Sequence, residues 1–420
     1  MYYGYIKWII LLIFLIIESF NIFLKILNLK YLRKKGKEVP PDFESHIDET
    51  LLSKTVDYTI EKTKFGFFDF AFDLIIIIIF IFGGILDYFV GWIESITKNF
   101  ILQGIIFSLT LYYISTLLSI PFSLYVDFKI ENKYGFNTTT PKLWATDLFK
   151  SLIISTILII IMVSVSCWLI VKLPSLWWLM VWLFTLLFSI FLMYISPYII
   201  EPLFNKFSPA PPQIEEKIKE LTERVKITVS KVMVMDASKR SKHSNAYFTG
   251  IGKTKRIVLF DTLLSTMNPS EIISIIAHEA GHWKKKHLLK RIVATELLSL
   301  AIIYLSYRIL ETPFLTSIFE YHNNNFFAKL VLLTFIFSIV FFPFTPLLSF
   351  LSRRHETEAD NFAISNISNS QDYINALIKL SKDNLINLHP HPFYAKFYYS
   401  HPPVLERIEK IKRTAGVKDN

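Results

Sequence analysis

The residues whose types and spacing could do chemistry lie in the stretch IISIIAHEAGHWKKKH, residues 272–287. His278 and His282 are four positions apart in a segment that has no proline and a helical spacing of apolar residues. Side chains at this separation lie on one face of a helix, so the two imidazoles can bind one metal ion. A catalytic zinc ion keeps one position open for water, and Glu279 would lie beside that water as its base. The spacing therefore predicts a zinc site for hydrolysis.

A catalytic zinc site of this kind needs a third protein ligand from elsewhere in the chain. Chance alone would produce the HExxH pattern in roughly one of a hundred sequences of this composition, so a second motif is required. The segment RRHETEAD, residues 353–360, offers His355, Glu356 and Glu358. A charged helix start is usually a solvated surface, and the residues alone do not decide between Glu356 and Glu358.

The elements that must position these residues are mostly membrane helices. Hydrophobic residues make up 52% of the 420 positions, and the mean hydropathy is +0.40. Runs of about 20 apolar residues, the length that crosses about 30 Å of hydrocarbon, occur at 5–29, 67–90, 101–127, 151–172, 174–200, 288–310 and 326–351. The first run is too long for a signal peptide and has no A-x-A-like cleavage site, so we interpret it as a retained anchor. The sequence predicts seven spans.

The distribution of lysine and arginine predicts the orientation in the membrane. With seven spans, four segments share one side: 30–66, 128–150, 201–287 and 352–420. The loops 91–100 and 311–325 on the other side contain one such residue, Lys98. The positive-inside rule therefore places the long loops, and with them both candidate metal motifs, in the cytosol.

Two features of the composition narrow the function. The net charge of +10 is sorted by loop and is not gathered on an aromatic-rich soluble face, which argues against a nucleic-acid partner. The single cysteine, Cys167, excludes an intramolecular disulfide bond.

The segment 201–287 contains the largest predicted soluble structure between spans. Ile214, Ile218, Leu221 and Val225 recur at helical spacing. Three β-prone runs follow: KVMVMD (231–236), SNAYFTGI (244–251) and RIVLFDTLL (256–264), with GKTK as a turn between the last two. We expect a small antiparallel sheet that leads into the helix of the opening motif.

The two metal motifs together make the chain recognisable. HEAGHW with a downstream SRRHETEADNFA resembles the integral-membrane CaaX prenyl proteases of type I, which are zinc enzymes that process farnesylated proteins. The resemblance extends along most of the chain, to DYTIEKTKFGF (57–67), PFSLYVDFKIENKYGFNTTTPKLWATD (121–147), PLFNKFSPAPP (202–212), SKRSKHSNAYFTGIGKTKRIVLFDTLL (238–264) and FYYSHPPVLERIEKI (397–411). That family has seven spans, in agreement with the hydropathy.

The resemblance implies roles for residues of the C-terminal tail. Glu356 would be the third zinc ligand, with Asp360 orienting a ligating histidine. His401 would stabilise an oxyanion and Arg407 would hold the acidic ligand. By itself, His401 between a serine and two prolines is more typical of a turn residue. Of the other histidines, His287 is the best candidate to line the site.

The resemblance also implies a place for the substrate. Asn245, Ala246 and Tyr247 match an N-A-Y pattern on an edge strand, whose backbone would pair with an extended peptide. The alternative is a strand packed in the core of the sheet, and both can hold because alternate side chains face opposite ways.

Taken together, the expected fold is an α-helical multispan membrane protein of seven transmembrane helices around an intramembrane chamber, with a zincin-like cytosolic part that includes a small β-sheet. Its segments would be transmembrane helices 1–5 (1–200), a cytosolic loop with the sheet and the HExxH helix (201–287), transmembrane helices 6 and 7 (288–351), and a cytosolic tail (352–420). Asp73 and Glu296, which are costly in lipid, would face the polar interior.

By resemblance, the reaction is zinc-dependent removal of the C-terminal tripeptide from prenylated CaaX proteins. One Zn²⁺ ion per chain, prenylated C-termini and the lipid bilayer are the expected cofactor and partners. The expected location is the endoplasmic reticulum membrane, with the nuclear envelope as a second location and the active site facing the cytosol. One alternative is a membrane-protein quality-control protease, which would be shorter and have fewer spans. Another is a multispan transporter with a structural metal site, which would need four protein ligands.

The predicted topology can be tested with engineered glycosylation sites, because N-glycans are added only on the lumenal side. An Asn-x-Thr site placed in 311–325 should be modified in cells, whereas one placed in 201–287 should stay unmodified. A mobility shift on gels, with and without glycosidase, reports the outcome. Modification of 201–287 alone would reverse the assigned orientation.

Overall fold

The structure, a computed structural model, describes residues 4–250, 255–322 and 324–416, and these residues are mostly helical. The helices before the sheet are α1 Gly4–Lys35, α2 Glu49–Phe82, α3 Ile85–Ile96, α4 Phe100–Tyr125, α5 Asn132–Tyr134, α6 Pro141–Lys172, α7 Trp177–Ile195, α8 Ile200–Phe204 and α9 Pro212–Arg224. The strands are β1 Phe207–Pro209, β2 Lys231–Met235, β3 Ala246–Thr249 and β4 Arg256–Phe260. The helices after the sheet are α10 Asp261–Thr266, α11 Pro269–Lys284, α12 His287–Leu310, α13 Phe314–Phe319, α14 Phe326–Phe341, α15 Thr345–Ile364, α16 Ser370–Asp383, α17 Pro392–Tyr398 and α18 Val404–Ala415.

Six helical segments in the described ranges are long and apolar enough to cross a membrane: Gly4–Lys35, Glu49–Phe82, Phe100–Tyr134, Pro141–Lys172, Trp177–Ile195 and Phe326–Ile364. Many of their large apolar side chains point outward, as expected of helices in lipid. The predicted span 288–310 is helical as α12, but it carries Lys290, Arg291, Glu296 and Arg308 and is not among the six. The count of seven is therefore not confirmed, and the intramembrane chamber stays a prediction.

The second predicted span, 67–90, does not match a single helix. α2 begins much earlier, at Glu49, where Asp48 accepts a hydrogen bond from the backbone of Leu51. The helix ends at Phe82, before Gly83 and Gly84. Gly84 has φ +80°, a left-handed conformation that glycine adopts without strain. The apolar run thus continues through a helix break that hydropathy does not detect.

The sheet is mixed, with the strand order β1-β2-β4-β3. β1 with β2 and β3 with β4 are antiparallel, whereas β2 and β4 are parallel. The expected antiparallel sheet is therefore wrong for the central pair. The reason is that the chain crosses from β2 to the far side of β4 before the β3–β4 hairpin returns it. The GKTK turn lies outside the described residues except for its last lysine.

One apolar core joins the sheet to the helices of the soluble part. It packs α9, α11, α16 and α18 against one face of the sheet, and its fully buried side chains include Ile218, Leu259, Ile276 and Ile408. Ile214, Ile218 and Leu221 of α9 lie in this core, as the helical spacing predicts. Each such side chain contributes about 1.5–3 kcal/mol by its removal from water. The core therefore fixes α11 against its neighbours.

α11 begins at a well-defined cap. The Asn268 side chain accepts a hydrogen bond from the backbone of Glu271, whose carboxylate accepts one from the backbone of Asn268. Pro269 occupies the first helical position, where no backbone donor is needed. Glu271 is buried and pairs with Lys379 of α16 at 2.7 Å. These contacts set the start of the helix and thus the direction of its later side chains.

α11 and α15 approach each other closely at Gly281. A Cβ atom added there would lie 3.0 Å from the Cα atom of Ala359 and 3.1 Å from its carbonyl oxygen. Ala359 and Ala363 on α15 are fully buried against this contact. Small residues on both helices thus let the backbones meet, with HExxH on one helix and Glu356 on the other.

Replacing Gly281 should separate the two helices. Gly281→Val places branched atoms against the α15 backbone and should destabilise the protein by about 1–3 kcal/mol or more, as overpacking does. The expected result is a lower melting temperature and loss of bound metal, measured by thermal unfolding and elemental analysis.

Gly66→Val is the matched control, because no atom lies within 4 Å of a Cβ added at that α2 glycine. It should leave metal content unchanged. Normal metal content in Gly281→Val would show that close helix approach is unnecessary.

Candidate metal centre

The structure brings the three predicted ligands together from two helices. The Nε2 atoms of His278 and His282 on α11 lie 3.2 Å apart, and each lies 3.3 Å from a different carboxylate oxygen of Glu356 on α15. Zinc binds such atoms at about 2.0–2.2 Å, so tetrahedral ligands are about 3.3 Å apart. Oε2 of Glu356 is buried with no hydrogen-bond partner in the described part of the chain. The donor set and spacing fit a metal ion.

The surroundings of His278 also favour a positive charge. Burial alone lowers the pKa of a histidine, but the adjacent carboxylates of Asp360 and Glu356 together outweigh burial and raise the pKa of His278 to about 9. The carboxylates of Asp360 and Glu356 therefore stabilise a positive charge on or beside the His278 ring.

Asp360 contacts the ring nitrogen of His278 that points away from the other two ligands. Its Oδ1 atom lies 2.8 Å from His278 Nδ1. The Arg407 guanidinium donates two hydrogen bonds to this carboxylate, at 3.0 and 2.7 Å, and the Tyr373 hydroxyl donates another at 2.7 Å. Arg407 was expected to hold the acidic ligand, but in the structure it binds Asp360. Tyr373 was not predicted, since one buried aromatic residue on α16 gives no signal in the sequence.

His282 is oriented by a second chain of hydrogen bonds. Its Nδ1 atom lies 3.0 Å from Nδ1 of His287, and Nε2 of His287 lies 3.1 Å from Glu358. If Nε2 of His282 holds the metal, its Nδ1 carries the proton and donates to His287. His287 then accepts at Nδ1 and donates from Nε2 to the carboxylate, so one protonation pattern satisfies every atom.

The two rivals of Glu356 lie away from the ligand atoms. Glu358 accepts from His287 and faces Arg354 at 3.4 Å. His355 stacks on the ring of His287, with ring centres 4.2 Å apart. Neither belongs to the group of metal-ligating atoms, which the described residues form only with His278, His282 and Glu356.

Glu279 faces a cavity of about 760 Å³ that also exposes His282 and Glu356. Burial raises the pKa of Glu279, with the nearby histidines opposing that shift. A carboxylate with a raised pKa is a better proton acceptor at neutral pH. Phe248 of β3 and Trp283 of α11 line the same cavity and stack with ring centres 6.2 Å apart; sequence reasoning missed both.

His401 lies in the bend between α17 and α18 and also reaches the metal centre. Its Nε2 atom is 3.3 Å from Oε1 of Glu356, while Nδ1 is 3.0 Å from the Ser400 hydroxyl. The side chain is 60% exposed and can therefore reach a bound molecule.

β3 is an edge strand, because among the described strands it pairs only with β4. Asn245, just before it, is exposed and its carbonyl accepts from the backbone of Phe260. Ala246 is buried in the core, and the hydroxyl of Tyr247 donates to Glu201 at 3.2 Å. The strand thus packs on one face and keeps a free edge.

Two further histidines and the two acidic residues of the predicted spans lie away from the metal centre. His243 stacks on Phe136, with ring centres 4.0 Å apart, and Nε2 of His389 lies 2.7 Å from the Glu38 carbonyl oxygen. Asp73 lines a separate, largely apolar cavity between α2, α3 and α4. Glu296 accepts from Ser299 at 3.3 Å.

Comparison with known proteins gives matches along almost the whole chain. Residues 28–206 match the family model described as CAAX prenyl protease N-terminal, five membrane helices, and residues 210–415 match peptidase family M48.

Individual proteins match equally widely. CAAX prenyl protease 1 of Saccharomyces cerevisiae is 33% identical over 93% of this chain and 92% of its own length. The human CAAX prenyl protease 1 homolog is 32% identical over 90% of each chain. The crystal structure of S. mikatae Ste24p superposes with a TM-score of 0.88 at 30% identity, covering 96% of this chain and 98% of that one.

The assignment of Glu356 as the third ligand can be tested by metal affinity alone. Glu356→Gln removes the anionic ligand and should weaken metal binding by more than about 100-fold, a larger effect than the ~10–100-fold typical of residues behind the ligands. Glu358→Gln is the matched control, because its amide oxygen still accepts from His287. Chelator competition measures both affinities. A site emptied by Glu358→Gln but filled in Glu356→Gln would reverse the assignment.

Proposed function

The chain belongs to the CAAX prenyl proteases of peptidase family M48, and from this membership we propose that it is a zinc endopeptidase that removes the C-terminal tripeptide from prenylated CaaX proteins. The observation that carries the proposal is the convergence of His278, His282 and Glu356 beside Glu279, in a cavity next to a free strand edge. Two imidazoles and a carboxylate are a donor set that suits zinc.

The side chains have distinct roles in the proposed hydrolysis. When bound, zinc polarises the scissile carbonyl and lowers the pKa of water. Glu279 takes a proton from the attacking water and delivers it to the leaving amine, so that one C–N bond is broken and one C–O bond is formed. His401 donates a hydrogen bond to the carbonyl oxygen as negative charge develops there. Residues 245–247 hold the peptide by backbone pairing along the edge of β3.

Membership of this family makes the chain a multi-pass membrane protein and a metalloprotease. We further propose that it resides in the endoplasmic reticulum membrane and the nuclear envelope, with the metal centre facing the cytosol. The lysine-rich segments on the side of both metal motifs support that orientation. Prenylated C-termini are made in the cytosol and partition into membranes, so they meet the site there.

The alternative functions have less support. A quality-control protease would not need the N-terminal membrane part, which matches the prenyl protease model over residues 28–206. A structural metal site would use four protein ligands, whereas three converge in the described ranges.

Glu279→Gln separates proton transfer from metal binding. The substitution keeps the size of the side chain but removes the base, so cleavage of a farnesylated CaaX peptide should fall by at least about 100-fold. Zinc content should stay near one per chain, because Glu279 is not a predicted ligand. Peptide products are measured by mass spectrometry and zinc by elemental analysis, with the chelated wild type as a second inactive control. Loss of zinc from Glu279→Gln would contradict its role as base.

A further inference from the structure

The cavity beside Glu279 is lined by two cations and by several aliphatic side chains. Lys290 and Arg291, in the first turns of α12, are its only lysine or arginine residues in the described part of the chain. The aliphatic lining residues are Leu288, Ala294, Leu298, Leu348 and Leu351. The cavity therefore combines aliphatic side chains with two positive charges.

These two cations are not held in close ion pairs by the described residues. Neither forms an ion pair or hydrogen bond with a residue in the ranges that the structure describes. Glu358 attracts Lys290 electrostatically, but its oxygens also face His287 and Arg354. The carboxylates that line the cavity, Glu279 and Glu356, belong to the metal centre. Both side chains are exposed, and unpaired cations beside the aliphatic lining of a cavity offer a binding site for the anionic group of a ligand.

We propose that Lys290 and Arg291 bind the free C-terminal carboxylate of the substrate. This inference rests on the proposed function. It assigns a binding position to the C-terminal tripeptide that the enzyme cleaves from its substrate. A tripeptide in extended form spans roughly 10 Å, and the cavity lies within the size range of small-ligand sites. The two aliphatic side chains and the terminal carboxylate of such a tripeptide match a cavity that offers both leucine side chains and two cations. A prenyl chain, being pure hydrocarbon, would gain nothing from these charges.

A carboxylate subsite explains how cleavage is placed three residues from the chain end. If the terminal carboxylate is held by the two cations, the third peptide bond upstream lies at Glu279 and the metal centre. Arginine can bind the carboxylate with two parallel hydrogen bonds, and lysine adds a point charge. The cations then contribute to specificity without touching the reacting atoms.

The experiment compares two farnesylated peptides that differ only at the end, one with a free carboxylate and one with a carboxamide. Wild-type protein in liposomes should cleave the free acid with a kcat/KM roughly 10- to 100-fold higher, the range for a hydrogen bond to a charged group. The double variant Lys290→Ala/Arg291→Ala should lose this preference. It should cleave the free-carboxylate peptide more slowly than the wild type does, and it should cleave the carboxamide peptide at the wild-type rate. The conservative pair Lys290→Arg/Arg291→Lys should retain most of the preference.

Lys285→Ala is the matched control, since Lys285 is exposed but does not line the cavity; it should behave as wild type. A double variant that keeps the full preference for the acid overturns the subsite. So does an equal loss on both peptides, which would assign the cations to an anionic lipid headgroup. If the wild type cleaves both peptides equally, the subsite is wrong while the protease function stands. If it cleaves neither, the proposed function itself fails.

Discussion

Everything at the metal centre depends on how closely α11 and α15 cross. The crossing works because Gly281 has no side chain and faces the backbone of Ala359. With the helices this close, ligands from both can lie within 4.8 Å of one another. A larger residue at the crossing would separate Glu356 from the two histidines, although none of the three would itself be changed.

The buried polar groups around the centre form two supports, one behind each histidine. Asp360, Tyr373 and Arg407 hold His278, and His287 with Glu358 holds His282. Each support ends on a carboxylate, which fixes the tautomer that leaves Nε2 free for the metal. The first support is buried and has its charge balanced by arginine, whereas the second reaches the edge of the cavity. The two ligands therefore differ in exposure although they sit on one helix.

Helix continuity ties the metal centre to a candidate membrane span. α14 is joined to α15 within one apolar helical segment, Phe326–Ile364, so Glu356 is fixed to a predicted span. Two residues separate the end of α11 from the start of α12, which places Lys290 and Arg291 along the same cavity. The cavity is thus lined by α11, by α12 and by α15, the last of which continues a candidate membrane span.

The sequence by itself determined the local features of this protein. The spacing of His278, Glu279 and His282 follows from helix periodicity, and most of the membrane helices follow from apolar length. Likewise α9 was predictable, because its apolar residues repeat on one face.

Only the tertiary structure decided which distant groups meet. Glu356 and Glu358 look alike along the chain, and their different partners depend on which face of α15 packs against α11. Tyr373 and the His287 hydrogen bonds have no sequence signal, because they arise from contacts between separate helices. The parallel pairing of β2 with β4 also depends on a crossover. Periodicity is a property of neighbouring residues, whereas ligand geometry and register depend on how whole elements pack against one another.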